Sequence, residues 1–203
     1  MRAVVVISAA LGAVAIAAAG CSGMPDVKRV DPNTQTDFSG RWNDTDSRMV
    51  SESMIENVLK GRWIADYASK SGGRKPRIIV GTIRNRTLEH INVGTFVNDL
   101  QRAIINSGRA TFVASRGERD EVREERFDQA VHASEETRKE PSKEHGADYM
   151  LKGEINSTID QAGSLAAVYY QIDLTLIDLE STEKVWIGDK KIKKVVEHGS
   201  LAP

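Results

Sequence analysis

The first regular pattern in the chain is helical. Val50, Met54 and Val58 recur every four residues, and Ile55, Leu59 and Trp63 form the neighbouring row. Together they give one helix a broad apolar stripe. Its start is expected at 44–47, where Asp44, Thr45 and Asp46 are all competent caps and acidic groups face the positive helix end. Gly61 is expected to weaken this helix without ending it; Ser71-Gly72-Gly73 and Pro76 stop it. The pattern then turns β-branched, and Ile78, Ile79, Val80 and Ile83 predict an inner strand over 77–83. A helix from 92 or 95 to 107 follows, with Phe96, Leu100 and Ile104 on its buried face and Gly108 as C-cap. A short strand at 110–114 completes a β-α-β unit, whose crossover is right-handed if its strands are parallel.

Residues 116–145 break the pattern, with 7 basic and 10 acidic side chains and few apolar ones. A mostly exposed helix is expected across 118–132, then a turn or two interrupted by Pro141. Its i,i+4 charge pairs, Arg119–Arg123, Asp120–Glu124, Glu121–Glu125 and Glu124–Asp128, all repel, and Asp120–Arg123 is the favourable exception. This helix is either a binding element or solvated cover for the sheet. Beyond it the chain alternates. Tyr149, Leu151, Gly153, Ile155, Ser157 and Ile159 share one strand face, and Tyr170, Ile172, Leu174 and Leu176 repeat the pattern. A turn at 180–183 leads to a last strand over 184–193, where Lys190, Lys191, Lys193 and Lys194 suit an exposed end or edge. The elements add up to an α/β fold: a single mixed β-sheet of about five strands, flanked by helices largely on one side.

Composition changes the picture at the start of the chain. Of 203 residues, 40% are hydrophobic, yet 16 of the first 20 are apolar. A positive start at Arg2, a small apolar run over 3–19 and a small residue at Gly20 describe a secretory signal peptide over 1–20. A retained anchor and plain secretion are the alternatives, and Cys21 separates them. Ala18-Ala19-Gly20-Cys21 resembles the bacterial lipobox, with Ala18 in place of the usual leucine. The resemblance implies cleavage before Cys21, its lipidation and a membrane partner through that lipid; Ser22, not Asp, at the next position favours the outer membrane. Residues 21–38 are expected to form the lipidated start and a flexible tether, 39–198 the folded domain and 199–203 a tail. The 23 residues from Cys21 to Asp44 average about 26 Å end to end as a flexible coil.

Net charge is −1 from 28 basic and 29 acidic residues, which argues against a general nucleic-acid binder. With one cysteine, an internal disulfide, a multi-thiolate zinc site and a CxxC redox pair are impossible. No phosphate loop, HExxH or GxSxG motif is present, so the sequence points to no catalytic residue, metal ligand or cofactor. The best candidate segment is Arg84-Asn85-Arg86-Thr87-Leu88-Glu89-His90, just beyond the first strand, where α/β folds commonly place sites. Arg84 and Arg86 are candidates to pair with carboxylates of a partner, although they could equally pair within the fold while Asn85 and Thr87 bond the loop backbone. Trp42 is a third candidate partner contact, or else closes the core over the first helix.

Several segments in order carry a family resemblance. They are Phe38-Ser39-Gly40-Arg41-Trp42-Asn43-Asp44-Thr45-Asp46, Lys75-Pro76-Arg77-Ile78-Ile79-Val80-Gly81-Thr82-Ile83-Arg84-Asn85-Arg86-Thr87, Glu89-His90-Ile91-Asn92, Gly146-Ala147-Asp148-Tyr149 and Val185-Trp186-Ile187-Gly188. Over about 38–195 the chain resembles the LpoB-type lipoproteins, outer-membrane activators of class A penicillin-binding proteins. That resemblance implies a non-catalytic periplasmic domain that binds and stimulates a bifunctional peptidoglycan synthase, with a fold like the N-terminal domain of TolB. The tether departs from the family's longer, proline-rich linker. The competing reading is a structural or assembly lipoprotein of an envelope or secretion system. The sequence sets no oligomeric state.

Overall fold

The first helix starts at Asp44, within the expected 44–47, but Asn43, not one of the three residues after it, caps it. In the computed structural model, which describes residues 27–139 and 144–197, the Asn43 side chain accepts from the Asp46 backbone N–H at 3.0 Å. Asp46 accepts from the Asn43 N–H at 2.9 Å in return. This reciprocal box satisfies two donors at the open helix end. The expected signal peptide, Cys21, the first part of the tether, the Pro141 interruption and the tail lie outside the described residues. Residues up to Pro32 belong to a unit of their own, and the fold described below starts at Asn33.

The first helix is two helices, α1 (Asp44–Lys60) and α2 (Trp63–Lys70). Gly61 ends α1 by turning extended, contrary to the sequence expectation. The cause is tryptophan packing. A Cβ on Gly61 would lie 2.6 Å from Trp63 Cδ1 and 3.1 Å from Trp186 Cδ1. The Trp63 indole N–H, folded back, donates to the Val58 carbonyl at 2.9 Å, alongside the Gly61 N–H at 3.2 Å, and so closes the helix end.

Strand β1 (Arg77–Asn85) is followed by α3 (Gly94–Asn106) and a two-residue strand β2 (Thr111–Phe112). Helix α4 (Arg116–His132) precedes three long strands, β3 (Tyr149–Ala162), β4 (Leu165–Asp178) and β5 (Lys184–Glu197). The strand order is β2-β1-β3-β4-β5, parallel at β2-β1-β3 and antiparallel at β3-β4-β5. The sheet is therefore mixed and five-stranded, and the fold α/β, as the periodicities predict. Ala162 pairs with Leu165 across a two-residue turn in which Gly163 takes φ 59°, a left-handed conformation that glycine tolerates without strain.

One sheet face carries the core. Val50, Met54 and Val58 of α1 and Phe96, Leu100 and Ile104 of α3 are buried, as are Ile78, Leu151, Ile155, Tyr170, Ile172 and Leu174 of the sheet. The predicted face of β3 is buried only at Tyr149, Leu151 and Ile155; Ile159 is exposed. The reason is length. β1 pairs with β3 only as far as Asn85 opposite Ile155, so the rest of β3 runs past its parallel neighbour.

β5 is the edge strand its lysines suggest, with one correction. Lys194 turns back against the N-terminus of α1 and keeps only 13% of its side chain exposed. It donates to Asp46 at 2.6 Å, Asp37 at 3.0 Å and the Arg41 carbonyl at 3.0 Å. α4 has no buried residue. Ser115 and Glu118 cap it reciprocally, and Arg123 ties it to Glu144 at 2.7 Å.

Candidate functional site

The loop after β1 is built by its own polar side chains. Asn85 accepts from the Thr87 N–H at 3.0 Å and donates to the Glu89 carbonyl at 2.6 Å. Thr87 in turn accepts from the Glu89 N–H at 3.1 Å. These bonds let a short polar side chain stand in for backbone partners and fix the turn. They leave Leu88 at the tip, 96% exposed, and turn Glu89 inward.

Glu89 is the residue sequence reasoning missed. One carboxylate oxygen accepts from the Trp42 N–H at 2.8 Å, and the other from the Tyr170 hydroxyl at 2.5 Å. Tyr170 is fully buried in β4, and burial followed by its contact with Glu89 pushes its phenol well above the ordinary tyrosine range. Trp42 lies edge-on to Tyr170, with ring centroids 5.4 Å apart, and its indole N–H donates to Ser47 at 2.9 Å. The structure thus places Trp42 half-buried against the core, where it joins the α1 entry to β4 and the β1–α3 loop. No sequence pattern marks Glu89, because the two groups it joins are 47 and 81 residues away.

Arg84 and Arg86 lie on the opposite face, away from the helices. Register makes its pattern explicit. Arg84, Glu154, Asp173 and Asp189 stand directly opposite one another across β1, β3, β4 and β5. The next row toward the start of β3 pairs Lys152, Thr175 and Ile187. Three like charges side by side cost stability, and local partners offset that cost. Glu154 accepts from Asn156 at 3.2 Å and from Arg86 at 2.9 Å, and these contacts hold its carboxyl below the usual range. Gln171 donates to Asp173 at 3.0 Å. Arg84, Lys152 and Lys184 have no ion-pair partner among the described residues and border a shallow depression of about 490 Å³ with Glu154, Asp173 and Ile187. Arg84 is therefore exposed at this depression, Arg86 is bound to Glu154, and Trp42 is not on this face.

The arrangement can hold anionic groups, such as carboxylates, against Arg84, Lys152 and Lys184. Among the described residues no group of three or more His, Cys, Asp or Glu side chains could hold a metal ion. None of their helices is long and apolar enough to cross a membrane.

Comparison with solved structures gives loose likenesses. Lipoprotein GNA1162 of Neisseria meningitidis superposes with a TM-score of 0.38 at 9% identity, over 59% of this chain and 83% of that one. The C-terminal domain of LpoB from Salmonella enterica gives 0.35 at 16%, over 71% and 98%. The solution structure of Escherichia coli LpoB gives 0.37 at 15%, over 97% and 96%. No curated protein matches the sequence. The sequence profile of one family, described as "Peptidoglycan-synthase activator LpoB", does match, over residues 46–192. That span starts at the Asp46 box of α1, takes in every strand and reaches β5, so it is the fold itself that is matched, and the chain belongs to the LpoB family.

Proposed function

We propose that this chain is a non-catalytic lipoprotein of the outer membrane, held by an acylated Cys21, whose periplasmic α/β domain binds and stimulates a bifunctional peptidoglycan synthase of the penicillin-binding class. The observation that carries the reading is the family match across 46–192. The open sheet face supports it. Arg84, Lys152 and Lys184 offer a partner cations that are not spent inside the fold. An activator of this kind acts by binding a conformation of its partner, and its effect equals its differential affinity for that state. It needs no reactive group of its own.

The test is a reconstituted synthase assay. The full-length lipidated chain is added to a purified class A penicillin-binding protein of the same organism, and glycan polymerisation and peptide cross-linking are followed. Stimulation by the chain, with binding weakened about tenfold in Arg84→Gln/Arg86→Gln, is the expected result. A chain that neither binds nor stimulates the synthase overturns the reading and leaves a structural or assembly role.

A further inference from the structure

α4 is a 17-residue helix with no buried residue, and Phe127 and Val131, four apart on its surface, are 73% and 63% exposed. A soluble helix normally spends such a pair on its own core. Here the core is complete without it. At 3.6 residues per turn the charges sort to either side of this pair. Arg119, Arg123 and Arg126 take one flank, and Glu121, Glu124, Glu125 and Asp128 the other, while Arg116 and Asp120 lie in line with the pair nearer the helix start.

The two flanks differ in what they are free to do. Arg119 and Arg123 are turned to Glu144, at 3.6 and 2.7 Å, and Arg123 also binds Asp120 at 2.7 Å. On the acidic flank Glu125 accepts from Gln129 at 2.9 Å, while Glu121 and Glu124 have no partner among the described residues. Asp120–Glu124, Glu121–Glu125 and Glu124–Asp128 are repulsive i,i+4 pairs that make the free helix less stable. A basic surface laid along that flank would relieve the Glu121–Glu125 and Glu124–Asp128 pairs together, whereas Asp120 is already neutralised by Arg123. The charges thus specify the wall of the groove, and the Phe127–Val131 pair specifies its floor.

We propose that α4 is a docking helix that lays Phe127 and Val131 into an apolar groove on the synthase whose wall carries Lys or Arg beside Glu121 and Glu124. This rests on the synthase reading above and adds α4 as a second contact beside the open sheet face. It is the helix-in-groove mode of recognition, in which two anchors four residues apart supply affinity and the flanking charges supply orientation.

The test uses the full-length chain and the purified class A synthase, both in detergent, with affinity read by biolayer interferometry at two salt concentrations. Phe127→Ala/Val131→Ala should weaken binding about tenfold or more. Glu121→Gln/Glu124→Gln should weaken it less and flatten its salt dependence. Neither variant should melt below the wild-type temperature, because the substituted side chains are exposed and Glu121→Gln/Glu124→Gln removes repulsive pairs. Unchanged affinity in both variants, with the wild-type chain binding normally, overturns the α4 proposal and leaves the synthase reading standing. Failure of the wild-type chain to bind overturns both. Sedimentation of the chain alone as a dimer that Phe127→Ala/Val131→Ala dissociates assigns the helix to a second copy and also overturns the proposal.

Discussion

Replacing Lys194 by Met removes one charge from a site largely closed to solvent. Asp46 is 2% exposed and its Oδ2 accepts from Lys194 at 2.6 Å and from the Asn43 N–H at 2.9 Å. Breaking a buried pair by removing one partner costs about 3–5 kcal/mol, because the other charge is left unpaired. Asp46 keeps one backbone donor, and the Met side chain keeps most of the aliphatic packing, so the lower end applies, about 3 kcal/mol. Lys191→Met, on a side chain 55% exposed whose Asp189 contact is 3.7 Å, should cost under about 0.5 kcal/mol. Urea unfolding followed by tryptophan fluorescence measures both. The pH dependence has a definite sign. Burial pulls the Lys194 pKa down, but the hydrogen bonds to Asp46 and Asp37 outweigh it and the net shift is upward. Its contribution is therefore complete below the unfolded lysine pKa and lost as pH rises through the folded one. The gap between wild type and Lys194→Met should hold from neutral pH to about 10 and close above that. A loss no larger than that of Lys191→Met, or a gap that closes toward acid pH through the lysine, would refute the reasoning.

Two further substitutions probe the same framework. Glu89→Ala leaves the Trp42 N–H without its acceptor, while the buried Tyr170 hydroxyl keeps only the Gly40 carbonyl at 3.2 Å, which should lower unfolding free energy by about 1–3 kcal/mol in urea titration. Tyr170→Phe removes the hydroxyl and leaves the Trp42 N–H bonded to Glu89, and should cost less than Glu89→Ala. Gly61→Ala forces a Cβ to within 2.6 Å of Trp63 and 3.1 Å of Trp186; a loss of about 1–3 kcal/mol is expected, with a changed tryptophan emission spectrum as its local signature.

Periodicity made most of the architecture legible. The four-residue spacing of Val50, Met54 and Val58 and the alternation of Tyr170, Ile172 and Leu174 each place those side chains in the core. What periodicity misread shares one cause, contact between distant segments. Gly61 breaks the helix because two tryptophans, one 125 residues later, pack against it. Lys194 looks like one more edge lysine until α1 brings Asp46, 148 positions earlier in the chain, to it. β2 shrinks to two residues because only Arg77 and Ile78 lie opposite it. The α1 cap is one residue before the three expected from the sequence: Asn43 and Asp46 have the spacing of a capping box, with Asp in place of the usual Glu, a local signal that the helical periodicity does not carry. Of the candidate contacts, Arg84 stands at the open depression, Arg86 is held by Glu154, and Trp42 is tied to Tyr170 and Ser47.

The register of the open face also decides which arginine variants separate binding from folding. A glutamate at 84 would extend the row of Glu154, Asp173 and Asp189 to four adjacent acids. A glutamate at 86 would replace the cation 2.9 Å from Glu154 with a repelling charge. Like charges directly opposite each other cost up to about 1 kcal/mol per pair, so a charge-reversed chain that bound poorly could owe the loss to its fold. Glutamine removes each positive charge and adds no negative one. The Arg86–Glu154 pair is about half exposed on both sides, and losing it should cost under about 1 kcal/mol. Arg84 has no ion-pair partner to lose among the described residues. Arg84 nevertheless stands opposite Glu154 and favours its carboxylate, so Arg84→Gln should cost under about 1 kcal/mol while weakening synthase binding. A clear fall in stability with normal binding would assign Arg84 to the fold and leave the depression without a role in docking.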